Sequence, residues 1–305
     1  MLSAYLPGFL HWLRFEKRYS PHTIISYEHD LKQFGDWMAE KYSDLGHVGE
    51  ISHYHIRSWL AELKDVHQHS ATTLNRKIST LQSFFKHLQR EGWTDQNPVR
   101  KLHALRVPER LPVFLKDEET LKLLEEATFP ADFKGKTDRL ICELLYNTGM
   151  RRQELTNLKE SDVEWSLRQI RVLGKGNKER LIPVSEVILD ALRDYISSKN
   201  ELEAPDRKQL LLLESGAPVY AQYIYRVVTK YLQAISSLQK RSPHVLRHTF
   251  ATHLLNNGAN IQAIKDLLGH SSLAATQIYT HNNIDQLKEI HRKAHPRERK
   301  GKNGE

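Results

Sequence analysis

SPHVLRHTFATHLL, residues 242–255, places a proline where a helix tolerates it best, at the first helical position, whose N–H has no partner inside the helix anyway. His244 and Arg247 then stand three residues apart on one face of the first turn. Free N–H groups and the positive end of the helix dipole already favour an anion there. Arginine adds a planar fork that holds two phosphate oxygens. The stretch reads as a phosphate site built on a helix start.

Outward from it, Thr148-Gly149-Met150-Arg151 repeats the arrangement: one helix ends at the glycine and the next, Arg152 to Leu158, begins beside an arginine. Two arginines at two helix starts are able to clamp one phosphate. His270 follows Leu268-Gly269, where glycine can take the left-handed cap conformation and turn the chain outward. Tyr279 lies nine residues later, near the end of a short helix that Ser271 or Ser272 would cap. A helix of that length separates its ends by roughly 12 Å, so His270 and Tyr279 meet at one phosphate only if the helices pack around it. Gln169 to Leu173 and Arg180 to Val184 alternate like two short strands around the turn Gly174-Lys175-Gly176-Asn177. That turn lacks the spacing and the Ser/Thr of a nucleotide-binding P-loop. Taken singly, each residue also has an ordinary reading: a tyrosine snorkelling from a core, arginines in ion pairs, hydrogen-bonded histidines, and a solvated lysine at a hairpin tip.

Further upstream the pattern is helical. Ser20-Pro21 starts a helix with Ile24, Tyr27, Leu31, Phe34 and Trp37 recurring every three or four residues. A second helix begins near Ser52 with Ile56, Trp59, Leu60 and Leu63 inward. A third runs from about Ala71 to Arg90 with Leu74, Ile78, Leu81, Phe85 and Leu88 inward, closed by Gly92 and Pro98. Its other face shows Asn75, Arg76, Lys77, Ser79, Gln82 and Lys86, a mixture suited to phosphates and base edges, or simply to solvent. Residues 99–113 hold two prolines and four Arg or Lys without a sustained period, a basic linker. Lys116 to Ala127, Thr137 to Asn147, Ser185 to Ser198, Ala221 to Ser236, Ser242 to Asn257, Ile261 to Leu268 and Ser272 to Thr280 read as further helices.

The chain has 305 residues, long enough for two cores. Its 45 Lys and Arg against 37 Asp and Glu leave a formal charge of +8, which favours a polyanionic partner, nucleic acid or an acidic membrane surface. Residues 1–110 carry 15 Lys and Arg against 12 Asp and Glu, so +3 lies there and +5 in the remainder, as a grip on DNA from two sides requires. The single cysteine, Cys142, sits in the apolar run Leu140 to Leu145 and rules out an internal disulfide framework; a reducing cytoplasm fits. The N-terminal residues lack a signal-peptide pattern. No stretch approaches the roughly 18 apolar residues of a membrane span, so no membrane role is expected.

In order along the chain, TGMR, GKGNKER, PHVLRHTFATHLL and LGHSSLAATQIYTH resemble the signature of the tyrosine recombinases, and specifically the Xer recombinases. The resemblance spans about residues 147–281 and extends weakly through the N-terminal helices. It implies a mainly α fold with a small β-sheet: an N-terminal helical bundle, the SAM-like core-binding domain, at 1–105, a linker at 106–112, and an α+β catalytic domain at 113–305. It also implies the catalytic set Arg151, Lys175, His244, Arg247, His270 and the nucleophile Tyr279, with no metal and no nucleotide cofactor. Arg152 departs from the family pattern, where an uncharged residue is expected. The partners implied are double-stranded DNA with paired inverted half-sites, a homo- or hetero-tetramer on that DNA with a paralogous recombinase, and a septal DNA translocase as activator.

The chemistry agrees with the residues. Arginines and histidines oppose the charge that accumulates on a phosphoryl group under attack. Lys175 can protonate the leaving 5′ oxygen, and a covalent tyrosine–3′-phosphate link keeps the bond energy, so religation needs no ATP. Among the rivals, His244 and His248 have the i, i+4 spacing of a zinc pair but enclose an arginine and no general-base Glu. A type IB topoisomerase, a mobile-element integrase and a catalytically silent DNA-binding protein of the same fold remain alternatives to chromosome dimer resolution at division. Ile284, Leu287 and Ile290 form a narrow apolar edge after Tyr279, to be buried on the chain's own domain or, as the resemblance implies, on the neighbouring protomer.

Overall fold

The computed structural model describes residues 2–107, 113–126, 129–174 and 178–269. It divides into two units, Met1–Arg110 and Leu111–Glu305. Lys175, His270, Tyr279, the apolar edge at 284–290 and linker residues 108–112 lie outside the described residues.

In the first unit, α1 (Leu6–His11) runs on as a π-helical turn, Trp12–Glu16. Pro7 lies in the first turn of α1, where it forfeits no helical bond. Three longer helices follow: α2 (Pro21–Lys41), α3 (His53–Asp65) and α4 (Ala71–Arg90). Ser20 caps α2 by accepting the Thr23 N–H at 3.2 Å, and Ser70 caps α4 by accepting that of Thr73 at 3.3 Å. Phe9, Phe34, Ile56, Trp59, Leu74, Phe84 and Phe85 form the centre of their common core.

The buried stripe of α4 is wider than its sequence period suggests. Lys77 and Thr80 are buried along with Leu74 and Leu81, whereas Ile78 is only half-buried. Lys77 therefore does not project toward solvent, and its expected DNA contact is corrected. Its ammonium donates to Asp30 at 2.8 Å and to Gln33 at 2.6 Å, and lies 5.3 Å from the centre of the Trp59 ring. A lysine can be this deep because Asp30, on α2, is buried with it and pairs its charge.

In the second unit the short α5 (Asp117–Leu121) passes into a π-helical turn, Lys122–Glu126. The central helix is α6 (Phe133–Thr148), buried at every residue from Leu140 to Thr148 and enclosed by α8 (Glu186–Asn200), α9 (Ala221–Ile235) and α10 (Pro243–Asn256). It starts four residues before the apolar period does, because Asp132 accepts the Gly135 N–H at 2.7 Å. A β-carbon at Gly135 would lie 1.9 Å from the Pro130 carbonyl oxygen, so only glycine fits. Between α7 (Arg152–Thr156) and α8, the strands β1 (Val163–Glu164), β2 (Gln169–Leu173) and β3 (Glu179–Pro183) form an antiparallel sheet in the order β1-β2-β3. Ile170 faces Ile182, and Val172 faces Arg180. Strand β1 is too short to leave an alternation in the sequence. The last described helix is α11 (Ile261–Leu268). No described helix is long and apolar enough to cross a membrane.

Candidate active site

The site begins where α6 stops. Gly149 takes the left-handed conformation, φ 59°, and its N–H closes the helix on the Leu145 carbonyl at 3.1 Å. A β-carbon there would lie 2.4 Å from Phe250 Cδ1 and 2.8 Å from Leu268 Cδ2. The glycine thus reverses the chain and lets α10 and α11 close over the turn. Two residues on, Arg151 is the N-cap of α7. Its backbone N–H donates to Glu154 Oε2 at 2.7 Å and its guanidinium to Glu154 Oε1 at 2.9 Å.

Arg247 arrives from the first turns of α10, buried with only 7% of its surface exposed. It donates to the carbonyls of Gly149 at 2.6 Å and Leu268 at 2.7 Å, so α10 is tied to both neighbouring helix ends. Burial, with Arg151 and Arg180 nearby, pushes the Arg247 guanidinium down to about 10, which leaves it charged at neutral pH. His244, three residues earlier and exposed, is pushed below the ordinary histidine value by desolvation, then by His248 and Arg247. Ser242, the N-cap of α10, has a buried hydroxyl with no hydrogen-bond partner among the described residues.

A third guanidinium completes the cluster. Arg180 reaches in from β3, donating to both oxygens of Glu154 at 3.0 and 2.7 Å and to the Leu267 carbonyl at 2.8 Å. Burial raises the Glu154 carboxyl, but the bonds and charge of Arg180, with the bonds from Arg151, outweigh it and hold the group below its ordinary value. Arg151 and Arg180 thus share one carboxylate with Arg247 close by, and the surplus positive charge is what a phosphate would neutralise.

The structure therefore unites Arg151 and Arg247, with His244 on the same helix start. Sequence reasoning missed Glu154 and Arg180. The Arg151-x-x-Glu154 spacing, half of a capping box, was the signal for Glu154. For Arg180 the signal was its place on the same strand face as Ile182 and Val184. Arg152, the departure from the family pattern, lies 6.0 Å from the centre of the Tyr225 ring, at the outer range of a cation–π contact. Among the described residues no cluster of three or more His, Cys, Asp and Glu is placed to hold a metal ion.

On α4 the residues expected at DNA separate. Asn75 spends its side chain on the N–H and carbonyl of Leu105, at 2.7 and 2.8 Å, and Lys77 is buried, so both serve the fold. Arg76 pairs with Asp30 yet keeps 40% of its side chain exposed, Gln82 is half-buried and Lys86 is exposed.

Residues 114–286 match the phage integrase family, and residues 6–92 match the N-terminal SAM-like domain of phage integrases. The chain is similar to proteins named tyrosine recombinase XerC. The protein of Halalkalibacterium halodurans is 36% identical over 299 residues, 96% of this chain and 97% of that one. The protein of Listeria innocua is 39% identical over 292 residues, 95% and 96%. Among solved structures, the XerH site-specific recombinase bound to palindromic difH substrate, a post-cleavage complex, aligns with TM-score 0.68 at 21% identity over 88% of this chain and 79% of that chain. A λ integrase(75-356) dimer bound to a COC′ core site aligns with TM-score 0.66 at 21% identity over 92% and 98%. These two share its fold. From the family matches and the nearly full-length relatives together, the chain belongs to the phage integrase family and is a tyrosine recombinase of the Xer type, an enzyme that cuts and rejoins DNA.

Proposed function

We propose that Tyr279 attacks a DNA phosphate in this recombinase and that Arg151 and Arg247 neutralise the charge that develops on it. The observation that carries the reading is a cluster of three guanidinium groups, in which Arg151 and Arg180 share the Glu154 carboxylate and Arg247, close enough to feel both their charges, is locked by two backbone carbonyls. Donors fixed in advance cost no reorganisation when the phosphoryl charge grows, and that is how they accelerate the step. The Tyr279 hydroxyl gives up its proton to water as its oxygen forms a bond to phosphorus and the P–O5′ bond breaks. Lys175 protonates the leaving 5′ oxygen, and His244 and His270 donate hydrogen bonds to the non-bridging oxygens. The resulting 3′-phosphotyrosyl bond is then attacked by a 5′ hydroxyl of the partner strand.

In this reading residues 1–105 and 113–305 are the core-binding and catalytic domains, joined by the linker 106–112, and grip duplex DNA at paired inverted half-sites. Arg76, Gln82 and Lys86 supply phosphate or base contacts from α4. The enzyme works in the cytoplasm on the nucleoid, in a tetramer with itself or a paralogue, and resolves chromosome dimers at division with a septal DNA translocase as activator. The nearly full-length likeness to proteins named XerC supports that role over integration of a mobile element.

The test is incubation with nicked duplexes carrying half-sites, followed by a search for a protein–DNA adduct that survives denaturation. The wild type is expected to form one. Tyr279→Phe is expected to bind DNA normally and form none; an adduct that persists in this variant refutes the nucleophile.

A further inference from the structure

The geometry points to Arg180 as a positioning residue that sets the separation of Arg151 and Arg247, an inference that rests on the reading of those two as the charge-neutralising pair. Arg180 does not itself reach solvent: 4% of its surface is exposed, and its three guanidine nitrogens are engaged by Glu154 and the Leu267 carbonyl. It is therefore poorly placed to touch a phosphate.

What it does instead is close a loop of contacts. Arg151 is held by Glu154, and Glu154 is held on both oxygens by Arg180. Arg180 in turn fixes the Leu267 carbonyl, next along α11 from the Leu268 carbonyl that holds Arg247. Arg247 returns to the Gly149 carbonyl, two residues from Arg151. Without Arg180, the start of α7 and the end of α11 lose this side-chain link within the loop. Gly269, φ 63°, passes so close to this side chain that a β-carbon there would lie 3.2 Å from Arg180 Cδ.

The experiment compares adduct formation by the wild type and by Arg180→Lys, Arg151→Ala and Arg247→Ala on two nicked duplexes. One carries the ordinary scissile phosphate. The other carries a methylphosphonate, in which a methyl group replaces one non-bridging oxygen and removes the charge. Arg180→Lys keeps a buried cation for Glu154 but cannot span both of its oxygens and the Leu267 carbonyl. On the phosphate it is expected to bind DNA normally and cleave about 10- to 100-fold more slowly, the scale for losing an outer residue that orients a functional one. On the methylphosphonate, whose transition state carries one negative charge fewer than that of the phosphate, its deficit relative to the wild type should largely vanish, as should those of the two alanine variants. A lysine variant equally impaired on both substrates while the alanine variants recover overturns the positioning role alone. If the alanine variants do not recover either, the reading of the arginine pair fails and this inference falls with it. Arg180→Gln, which retains hydrogen-bond donors for Glu154 without the charge, is measured in parallel with melting curves. The same recovery is expected of it, and its absence in a folded variant counts against the role.

Discussion

Replacing Lys77 by methionine separates a buried structural lysine from one that contacts DNA. The ammonium is buried between α2 and α4, 2.8 Å from Asp30 and 2.6 Å from Gln33, with the Trp59 ring against it. Removing one partner of a buried ion pair costs about 3–5 kcal/mol because the remaining charge is left without compensation. Here Arg76 and the Thr80 hydroxyl still contact Asp30, and methionine refills most of the volume, so the lower end, about 3 kcal/mol, is expected. At roughly 4–8 °C per kcal/mol for a unit of about a hundred residues, the melting transition of the N-terminal unit should fall by about 12–24 °C. Thermal unfolding followed by circular dichroism measures this, and DNA binding at a temperature below both transitions supplies the contrast. Each lost phosphate contact lowers the log–log salt slope by about 0.9; Lys77→Met should leave the slope unchanged, while Lys86→Ala lowers it without altering the melt. An unshifted melt together with a reduced slope for Lys77→Met would refute the burial argument.

Gly149→Ala forces a left-handed residue to carry a β-carbon 2.4 Å from Phe250, so it should lose more than about 1 kcal/mol of stability and, because the Gly149 carbonyl holds Arg247, slow adduct formation as well; normal values of both would show that the turn relaxes freely. Arg247→Ala should cleave roughly 10²- to 10³-fold more slowly with binding nearly intact, whereas equal loss of both would make Arg247 a docking residue. The Glu154 carboxyl is held below its ordinary value of 4.5 in the folded protein, so its contribution to stability is fully present above that value and is lost as pH falls through the folded one. Urea unfolding on either side of 4.5 should therefore show the stability gap between wild type and Glu154→Gln narrowing on the acid side; a gap independent of pH would mean the carboxylate is not stabilised by its arginines. Truncation after His281 should leave binding to a single half-site within a few-fold of normal while altering synapsis and the bias between strands, and a truncated protein that cannot fold would place that segment in its own core.

The helices were legible because what makes them is local. Ser20-Pro21 and Ser242-Pro243 mark helix starts, apolar residues recur every three or four positions, and Gly149 ends α6 within a few residues of the last turn. Departures arose where a non-local contact or a very short element decided. The cap at Asp132 and the close approach of Pro130 extended α6, and the two-residue β1 exists only through its pairing with β2.

The same division runs through the site. The order and spacing of Arg151, Lys175, His244, Arg247, His270 and Tyr279 are properties of the sequence, and they sufficed to indicate the chemistry and the family. Only the tertiary structure decided what those side chains lean on. Lys77 is structural because Asp30, 47 positions away, is buried opposite it. Glu154 and Arg180, 26 positions apart, meet because the Arg180 side chain reaches from β3 to the first turn of α7. A charged side chain looks the same in a sequence whether it faces water or a buried partner; packing decides which, because an unpaired charge is too costly to bury.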